Sequence, residues 1–142
     1  MSNQYPSVDE ETAGSNDVAC VIGGRHVGRA IAKQLADRGL SVTYVDQSGS
    51  TEPPPGVQHV GVDRLDSAAL RAVDVDDPTV VLVVGSTDSQ NLLLTQLVRT
   101  AFDTENVITL VNDPERGVAF DDIGVNTVEA PRMIANEVTN HL

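Results

Sequence analysis

The sequence predicts an α/β fold: a single domain on a doubly wound, six-stranded parallel sheet of the Rossmann type. Segments typical of buried strands alternate along the chain with segments of helical periodicity. The strand-like segments are continuous apolar runs, which indicates a parallel sheet covered by helices on both faces. At 142 residues the chain is long enough for one hydrophobic core. We expect an acidic, disordered tail at 1–16 and the folded domain at 17–142.

The first half of the chain supplies three of the strands. Its predicted elements are, in chain order, a strand at 18–23, a helix at 27–39, strands at 40–46 and 57–62, and a short helix at 66–75. Val27, Ile31 and Leu35 recur at four-residue steps, which predicts the buried side of the first helix. Asp66 or Ser67 is a suitable N-cap for the short helix.

The second half repeats this alternation. Its predicted elements are strands at 79–85, 106–111 and 125–130, and helices at 88–102, 113–124 and 131–142. Leu93, Leu97 and Ala101 share one side of the long helix, with Leu94 and Val98 beside them.

Met133, Ile134 and Val138 of the last helix are spaced as core residues are, and the core is the favoured interpretation. The alternative is that this helix packs against a second copy of the chain in a homodimer.

The charge of the chain limits its partners. Its net charge of −12 argues against a nucleic-acid or anionic-membrane surface, and no apolar run is long enough for membrane insertion. Cys20 is the only cysteine, so no cysteine metal cluster is possible. We expect a cytoplasmic protein, since its start lacks the features of a signal peptide. One lysine against fourteen aspartates favours a halophilic source.

The turn between the first strand and the first helix is the candidate phosphate loop. In GGRHVG, Gly23 and Gly28 fit the dinucleotide-binding spacing, whereas Arg25 occupies the place of the middle glycine. A helix N-terminus attracts anions through its backbone N–H groups. A glycine-rich turn without a ligand remains the alternative. Asp46 follows 18 residues after Gly28, where an acid can bind a ribose diol; an ordinary solvated aspartate is the alternative.

Four motifs in a fixed order extend this pattern. They are the glycine turn, the acid after the second strand, DRLD after the third strand and TDSQN after the fourth. Over residues 18–134 this set resembles the TrkA-N or RCK nucleotide-binding domains, cytoplasmic regulators of potassium channels and transporters. The resemblance implies a ligand such as NAD(H), ATP, ADP or AMP, dimerisation, and a transporter or channel subunit as partner in trans. A stand-alone member from a halophilic archaeon is expected.

The resemblance also implies roles for individual residues. Gly23, Gly24 and Gly28 would line the phosphates, Asp46 would bind the adenosine ribose, and Asp63 would lie near the adenine. The remaining candidate ligand residues are Arg25, His26 and Val27 in the glycine turn and Thr87, Asp88 and Asn91 after the fourth strand. For Asp88 a plain N-cap is an equal alternative, and Asn91 could be an inert residue of the first helical turn.

Departures from the family pattern fall on the loops that would meet the ligand. Arg25 replaces a glycine, and Val62, Arg64 and Leu65 stand where the family has small residues. Arg25 and Leu65 would obstruct a dinucleotide. Arg25, His26 and Arg29 together form a basic group suited to phosphate. The site is therefore rebuilt for a smaller anion or lost, and we favour a mononucleotide.

Three functions follow from these patterns. The favoured one is a regulatory nucleotide sensor, and the second is a Rossmann assembly module without ligand. The third, a minimal NAD-dependent oxidoreductase, lacks a catalytic constellation: there is no Y-x-x-x-K pair, no metal-spaced histidine cluster and no remaining chain for a substrate domain. We expect no enzymatic activity.

Overall fold

The computed structural model describes residues 17–47, 52–75 and 77–142. The elements are, in chain order, β1 (Val18–Ile22), α1 (His26–Asp37), β2 (Ser41–Asp46), β3 (Val57–Gly61), α2 (Ser67–Ala72), β4 (Val80–Val83), α3 (Asp88–Ala101), β5 (Val107–Val111), a 3-10 turn (Pro114–Arg116), α4 (Gly117–Asp121), β6 (Asn126–Glu129) and α5 (Ala130–Asn140). The predicted tail at 1–16 lies outside the described residues. No described helix is both long and apolar enough to cross a bilayer.

The six strands form one parallel sheet in the order β3-β2-β1-β4-β5-β6. The predicted doubly wound Rossmann-like fold is confirmed. The strand order reverses between β1 and β4, where Cys20 lies opposite Val81. Ligands of such sheets bind beyond the carboxyl ends of the strands at this switch point. The fold therefore places the turns after β1 and β4 side by side.

The core consists of two clusters, one on each face of the sheet. One cluster contains Cys20, Ile22 and Val45 and packs against α2 and α3. The other contains Val21, Val42 and Tyr44 and packs against α1. Both faces of β1 are thus buried, as its continuous apolar run predicts. Burial raises the pKa of the Cys20 thiol to about 12, because the thiolate would be desolvated there.

The buried side of α1 agrees with the prediction at Ile31 and Leu35, which are half-buried against the core cluster of this face, and differs from it at Val27. Gly28 and Ala32 are its buried residues, while Val27 is 50% exposed. A Cβ on Gly28 would lie 2.0 Å from the carbonyl oxygen of Gly23 and 2.8 Å from Cε1 of Tyr44. The helix therefore approaches the sheet most closely at its smallest residues, and Val27 lies on its outer side.

The long helix α3 shows a similar shift. Leu94 and Val98 are buried as predicted, and Leu97 and Ala101 are half-buried against the same core cluster, but Leu93 is 53% exposed. Asn91 and Thr95 complete the buried stripe, and the Thr95 hydroxyl lies 2.8 Å from that of Thr109 on β5. The buried side of α3 thus includes two polar residues, Asn91 and Thr95, which form hydrogen bonds within the protein. A search for apolar spacing does not find such positions.

The core prediction for α5 is wrong. Met133, Ile134 and Val138 are 55%, 64% and 59% exposed, and no residue of α5 is buried. The helix follows β6, the edge strand of the sheet, and within the described residues it packs chiefly against that strand, so most of its surface stays uncovered. The predicted cap of α2 is correct: Asp66 accepts a hydrogen bond from the Ala69 amide at 2.9 Å.

Candidate functional site

The glycine turn at residues 23–25 joins β1 to α1 at the switch point. Gly23 and Gly24 have φ angles of 81° and 84°. A Cβ on Gly24 would lie 2.6 Å from the carbonyl oxygen of Val84, so the turn packs directly on the chain that leaves β4. The 12-residue helix α1 begins immediately afterwards, at His26. A bare backbone turn that leads into a helix N-terminus is the arrangement that binds phosphate.

Arg25 keeps a glycine-like backbone although it carries a side chain. Its φ of 48° and ψ of −112° lie in a region that costs an L residue about 1–3 kcal/mol. Its amide donates a hydrogen bond to Oδ2 of Asp46 at 3.0 Å, which holds the turn in this conformation. The turn at Arg25 thus keeps a backbone conformation suited to glycine, and the arginine adds a guanidinium at the edge of the turn.

Asp46, the predicted ribose acid, is buried with 6% exposure and already has three internal donors. Besides the Arg25 amide, its carboxylate accepts hydrogen bonds from the Tyr44 hydroxyl and, at 2.7 Å, from the Gln47 amide. Burial, together with the hydrogen bond to Asp46, raises the pKa of Tyr44 well above its usual range. The Asp46 carboxylate therefore stabilises the glycine turn through hydrogen bonds, and it also lines the groove at the switch point.

The groove at the switch point, which we call the nucleotide groove, has a volume of about 330 Å³. It lies between the glycine turn, the end of β2 and the start of α3, where Gly85, Ser86 and Gln90 line it. Arg25 is the only lysine, arginine or histidine among its lining residues in the described chain. Its volume is near the lower end of the range for small-molecule sites, about 300–1,000 Å³.

Leu65 narrows the nucleotide groove. Its side chain belongs to the core cluster with Ile22 and also lines the groove, and a Cβ on Gly23 would lie 3.9 Å from Leu65 Cδ1. Asp63 is exposed and is not among the lining residues; its carbonyl accepts a hydrogen bond from the Gln47 side chain at 3.3 Å. His26 and Val27 are exposed and also lie outside the groove lining.

At the turn after β4, the Asp88 side chain forms hydrogen bonds within the protein. Thr87 is the N-cap residue of α3, but its side chain makes no capping hydrogen bond. The Asp88 carboxylate accepts hydrogen bonds from the amides of Asn112 and Asp113 at 2.7 and 2.8 Å, and from the Asn112 side chain at 3.2 Å. Asp88 thereby fastens the start of α3 to the loop after β5. Neither Thr87 nor Asp88 lines the nucleotide groove.

Asn91 is fully buried one turn further along α3. Its Nδ2 donates to the carbonyl oxygens of Gly85 and Leu110 at 2.8 and 3.0 Å. Its Oδ1 is buried without a hydrogen-bond partner in the described structure, and a Cβ on Gly85 would lie 2.6 Å from it. Asn91 thus sets the position of the Gly85 backbone, which lines the groove directly.

Several groove residues were absent from the sequence-based candidates: Gln47, Gly85, Ser86, Gln90 and Leu94. Gly85 was identifiable, since a glycine directly after the strand beyond the switch point indicates close backbone approach. The residues present fit a phosphate-bearing ligand of mononucleotide size: glycine backbone at two turns, one guanidinium and a helix N-terminus. Among the described residues, no group of three or more His, Cys, Asp or Glu side chains is placed to hold a metal ion.

Comparisons with known proteins agree with this geometry. The family model of the TrkA-N domain matches residues 19–131. The chain is 26% identical over 129 residues to the Trk system potassium uptake protein TrkA of Streptomyces coelicolor, covering 86% of the chain and 56% of that protein. It is 28% identical over 122 residues to the protein of the same name from Mycobacterium tuberculosis, covering 82% and 55%. The chain thus spans about half the length of these relatives.

A solved structure shows the same fold. The NAD(P)-binding domain of an exopolyphosphatase-related protein from Archaeoglobus fulgidus matches with a TM-score of 0.70 at 22% identity. The match covers 87% of this chain and 95% of that domain.

Proposed function

Because the chain belongs to the TrkA-N domain family, we propose that it is a regulatory domain that binds an adenine nucleotide or NAD(H) and acts on a potassium transporter or another partner protein. The observation that carries this proposal is the nucleotide groove at the switch point. Two bare backbone turns, at Gly23–Gly24 and at Gly85, face each other there, and α1 begins at its rim.

The dimensions of the groove favour AMP or ADP over a full dinucleotide. Leu65 occupies part of the groove, and its volume of about 330 Å³ leaves little room for a second nucleoside. Arg25 at the rim is suited to bind phosphate oxygens through its guanidinium fork. Asp46 has its three donors within the protein, so a ribose would share a carboxylate that is already hydrogen-bonded.

Signalling requires that the ligand bind one conformation better than another. A ligand that contacts Gly85, Ser86 and Gln90 bears on the start of α3. Through Asp88, that helix end is bonded to the loop at Asn112 and Asp113, on the way to α4. In the proposed mechanism, occupancy of the groove changes the position of this loop.

Calorimetry with AMP, ADP, ATP, NAD and NADH, in both dilute and molar KCl, tests the proposal. We expect ADP or AMP to bind. Ser86→Asp places a carboxylate in the groove and should abolish binding through charge repulsion with phosphate. Ser89→Asp adds the same charge to an exposed position that does not line the groove, and should leave binding intact. No heat from any of the five ligands would reject nucleotide sensing.

The partner belongs to the same proposal. The relatives are named as potassium uptake proteins, and we extend this to a cytoplasmic role in trans on a membrane transporter or channel subunit. The exposed apolar side chains of α5, Met133, Ile134 and Val138, are suited to pack against a second copy. The expected state is therefore a homodimer.

Sedimentation measures this state. Ile134→Asp should shift the protein towards monomer, whereas Asn136→Asp, about half a helical turn away, should not. A wild-type monomer at all concentrations would contradict the dimer and leave nucleotide binding untouched.

A ligand-free assembly module is the second candidate function. The observation that favours it is the use of Asp46, Asp88 and Asn91 in hydrogen bonds within the protein, which stabilise the two turns.

The proposed regulatory function includes no catalytic step. Reduction of NAD by any metabolite in a panel would therefore contradict that function.

A further inference from the structure

We propose that a second cavity, between α1 and β3, is an anion site for a phosphate group, separate from the nucleotide groove. This flank cavity has a volume of about 190 Å³ and its lining includes Arg25, His26, Arg29, Tyr44, Glu52 and His59. It lies on the face of the sheet that α1 covers. The family-based residue roles include neither Arg29, nor Tyr44, nor His59.

The cation content of the flank cavity is the first argument. It gathers two of the nine lysine and arginine residues and two of the three histidines of a chain whose net charge is −12. Within the described residues, neither Arg25 nor Arg29 has a carboxylate partner within 4.0 Å. Among the described residues, Glu52 is the only acidic one that lines the cavity. An anion in the cavity would supply the missing countercharge.

The hydrogen bonds of Arg29 hold its guanidinium in place without neutralising it. Its Nε and Nη2 donate to the backbone carbonyl oxygen of Glu52 at 3.3 and 2.9 Å. A carbonyl orients the guanidinium plane but carries no full charge, so the positive charge stays available. Guanidinium groups fixed in this way bind phosphate oxygens with little loss of side-chain freedom.

His59 provides the second argument. Its Nε2 is buried and has no hydrogen-bond partner in the described structure, although His59 lines the cavity. The ring stacks on Tyr44 with centroids 5.3 Å apart and an interplanar angle of 21°, which fixes its orientation. A buried polar nitrogen without a partner is unfavourable, and with the ring hydrogen on Nε2 the imidazole would donate it to a phosphate oxygen in the cavity.

The flank cavity is separated from the nucleotide groove by the contact between Tyr44 and Asp46. Tyr44 lines the flank cavity, Asp46 lines the groove, and the two side chains are hydrogen-bonded to each other. Of the residues that the structure describes, Arg25 alone lines both cavities. At about 190 Å³ the flank cavity is smaller than the nucleotide groove of about 330 Å³, and it is large enough for a phosphate group.

Two sources can supply this phosphate: a free phosphate ion, or the terminal phosphate of a nucleotide that reaches past Arg25 from the groove. The probe is potassium phosphate, titrated into the full chain at constant ionic strength in KCl and followed by calorimetry and by histidine side-chain NMR signals. We expect saturable binding that perturbs the His59 ring. A subsequent ADP titration distinguishes the sources: competition assigns the phosphate to a nucleotide, and independent binding assigns it to a free ion.

Variants locate the site. Arg29→Met should weaken phosphate binding about tenfold, because a charge-assisted hydrogen bond is lost. His59→Phe keeps the stacked ring, removes the unpaired nitrogen and should weaken binding about fivefold. Arg38→Met, at the opposite end of α1, removes the same charge and is expected to leave the affinity unchanged.

Two results would overturn the proposal: the absence of saturable phosphate binding, or equal affinities in wild type, Arg29→Met and His59→Phe. The groove variant Ser86→Asp separates this proposal from the proposed function, because it should abolish ADP binding and spare phosphate binding.

Discussion

The turns after β1 and β4 occupy equivalent places on either side of the switch point, yet they use their polar residues differently. In the turn after β1 and the first turn of α1, the Arg25 and Arg29 guanidiniums have no carboxylate partner among the described residues. In the turn after β4, Asp88 and Asn91 are buried and bonded to backbone groups of the turn itself and of β5 and the loop after it. Both turns are held by a buried carboxylate, Asp46 for the first and Asp88 for the second, but the first also presents guanidinium charge to its surroundings.

The comparison shows how the polar residues of the two turn motifs should be interpreted in this fold. For both turns, the family resemblance implies polar residues beside a ligand. In the turn after β4 these side chains fix the backbone, and Gly85 and Ser86 form the wall of the groove. The same residue types can therefore act on a ligand directly or through the shape of the turn. Four substitutions distinguish these roles.

Gly28→Ala should have the largest effect, a loss of about 4 kcal/mol of unfolding free energy or failure to fold. Its Cβ would lie 2.0 Å from the Gly23 carbonyl oxygen, so α1 would be pushed off the turn after β1. Gly117→Ala is the control. Gly117 has a helical φ of −59° and open space around it, so the alanine should be neutral or slightly stabilising. Urea unfolding measures both, and equal effects would refute the role of close packing at Gly28.

Asp88→Ala should cost about 3 kcal/mol, because the amides of Asn112 and Asp113 lose a charged acceptor. Glu115→Ala removes an exposed carboxylate from the same region and should change stability by less than about 0.5 kcal/mol. Thermal unfolding compares the two variants. If Asp88→Ala proves as mild as its control, the turn after β4 is not held by this carboxylate.

Tyr44→Phe should cost about 1.5 kcal/mol at neutral pH, since Asp46 loses one of its three donors. The raised pKa of Tyr44 predicts a pH dependence as well. The neutral phenol is favoured in the folded state, so its contribution is complete below the ordinary pKa near 10 and is lost as pH rises from there through the folded value.

The free energy of unfolding, measured at a series of pH values from roughly 8 to 11 around the ordinary tyrosine pKa, shows this dependence. The variant should lose less stability with pH than wild type does. The Cys20 thiol ionises on unfolding in both proteins, so the difference between their two pH curves reports the contribution of Tyr44 alone. Parallel curves would mean that Tyr44 does not titrate on unfolding.

Arg25→Gly should have the smallest effect and the opposite sign, a gain of about 1 kcal/mol. Glycine adopts the φ of 48° without strain, which outweighs its larger entropy in the unfolded chain. Arg25→Ala keeps the strain and removes only the guanidinium, so it should bring no gain. If alanine stabilises as much as glycine, charge repulsion and not backbone strain is the cause.

The sequence was sufficient for the fold and for the glycine turn. Continuous apolar strands such as 79–85 distinguish a parallel sheet from an antiparallel one, and β4 forms there. The four-residue steps placed Ile31 and Leu35 of α1 correctly but not Val27. The contact of Gly28 with the Gly23 carbonyl selects which side faces the sheet, and this contact depends on the tertiary path of the turn.

The roles of Asp88 and the flank cavity depend on residues distant in sequence. The backbone partners of Asp88 lie 24 and 25 residues away, and no local pattern links them. His59 meets Tyr44 because β3 pairs with β2 in register, with these two residues directly opposite each other. Exposure of α5 follows from the position of β6 at the edge of the sheet, while the apolar spacing of Ile134 and Val138 is the same for a core and for an interface.

The burial of Cys20 in the central strand has a practical consequence for kinetics. As the only thiol in the chain, lying in β1 between β2 and β4, it is shielded from solvent on both faces of the sheet. A thiol reagent can therefore label the protein only when the central strands separate. The labelling rate under native conditions reports the frequency of that opening, and a ligand bound at the switch point should slow it in proportion to its occupancy.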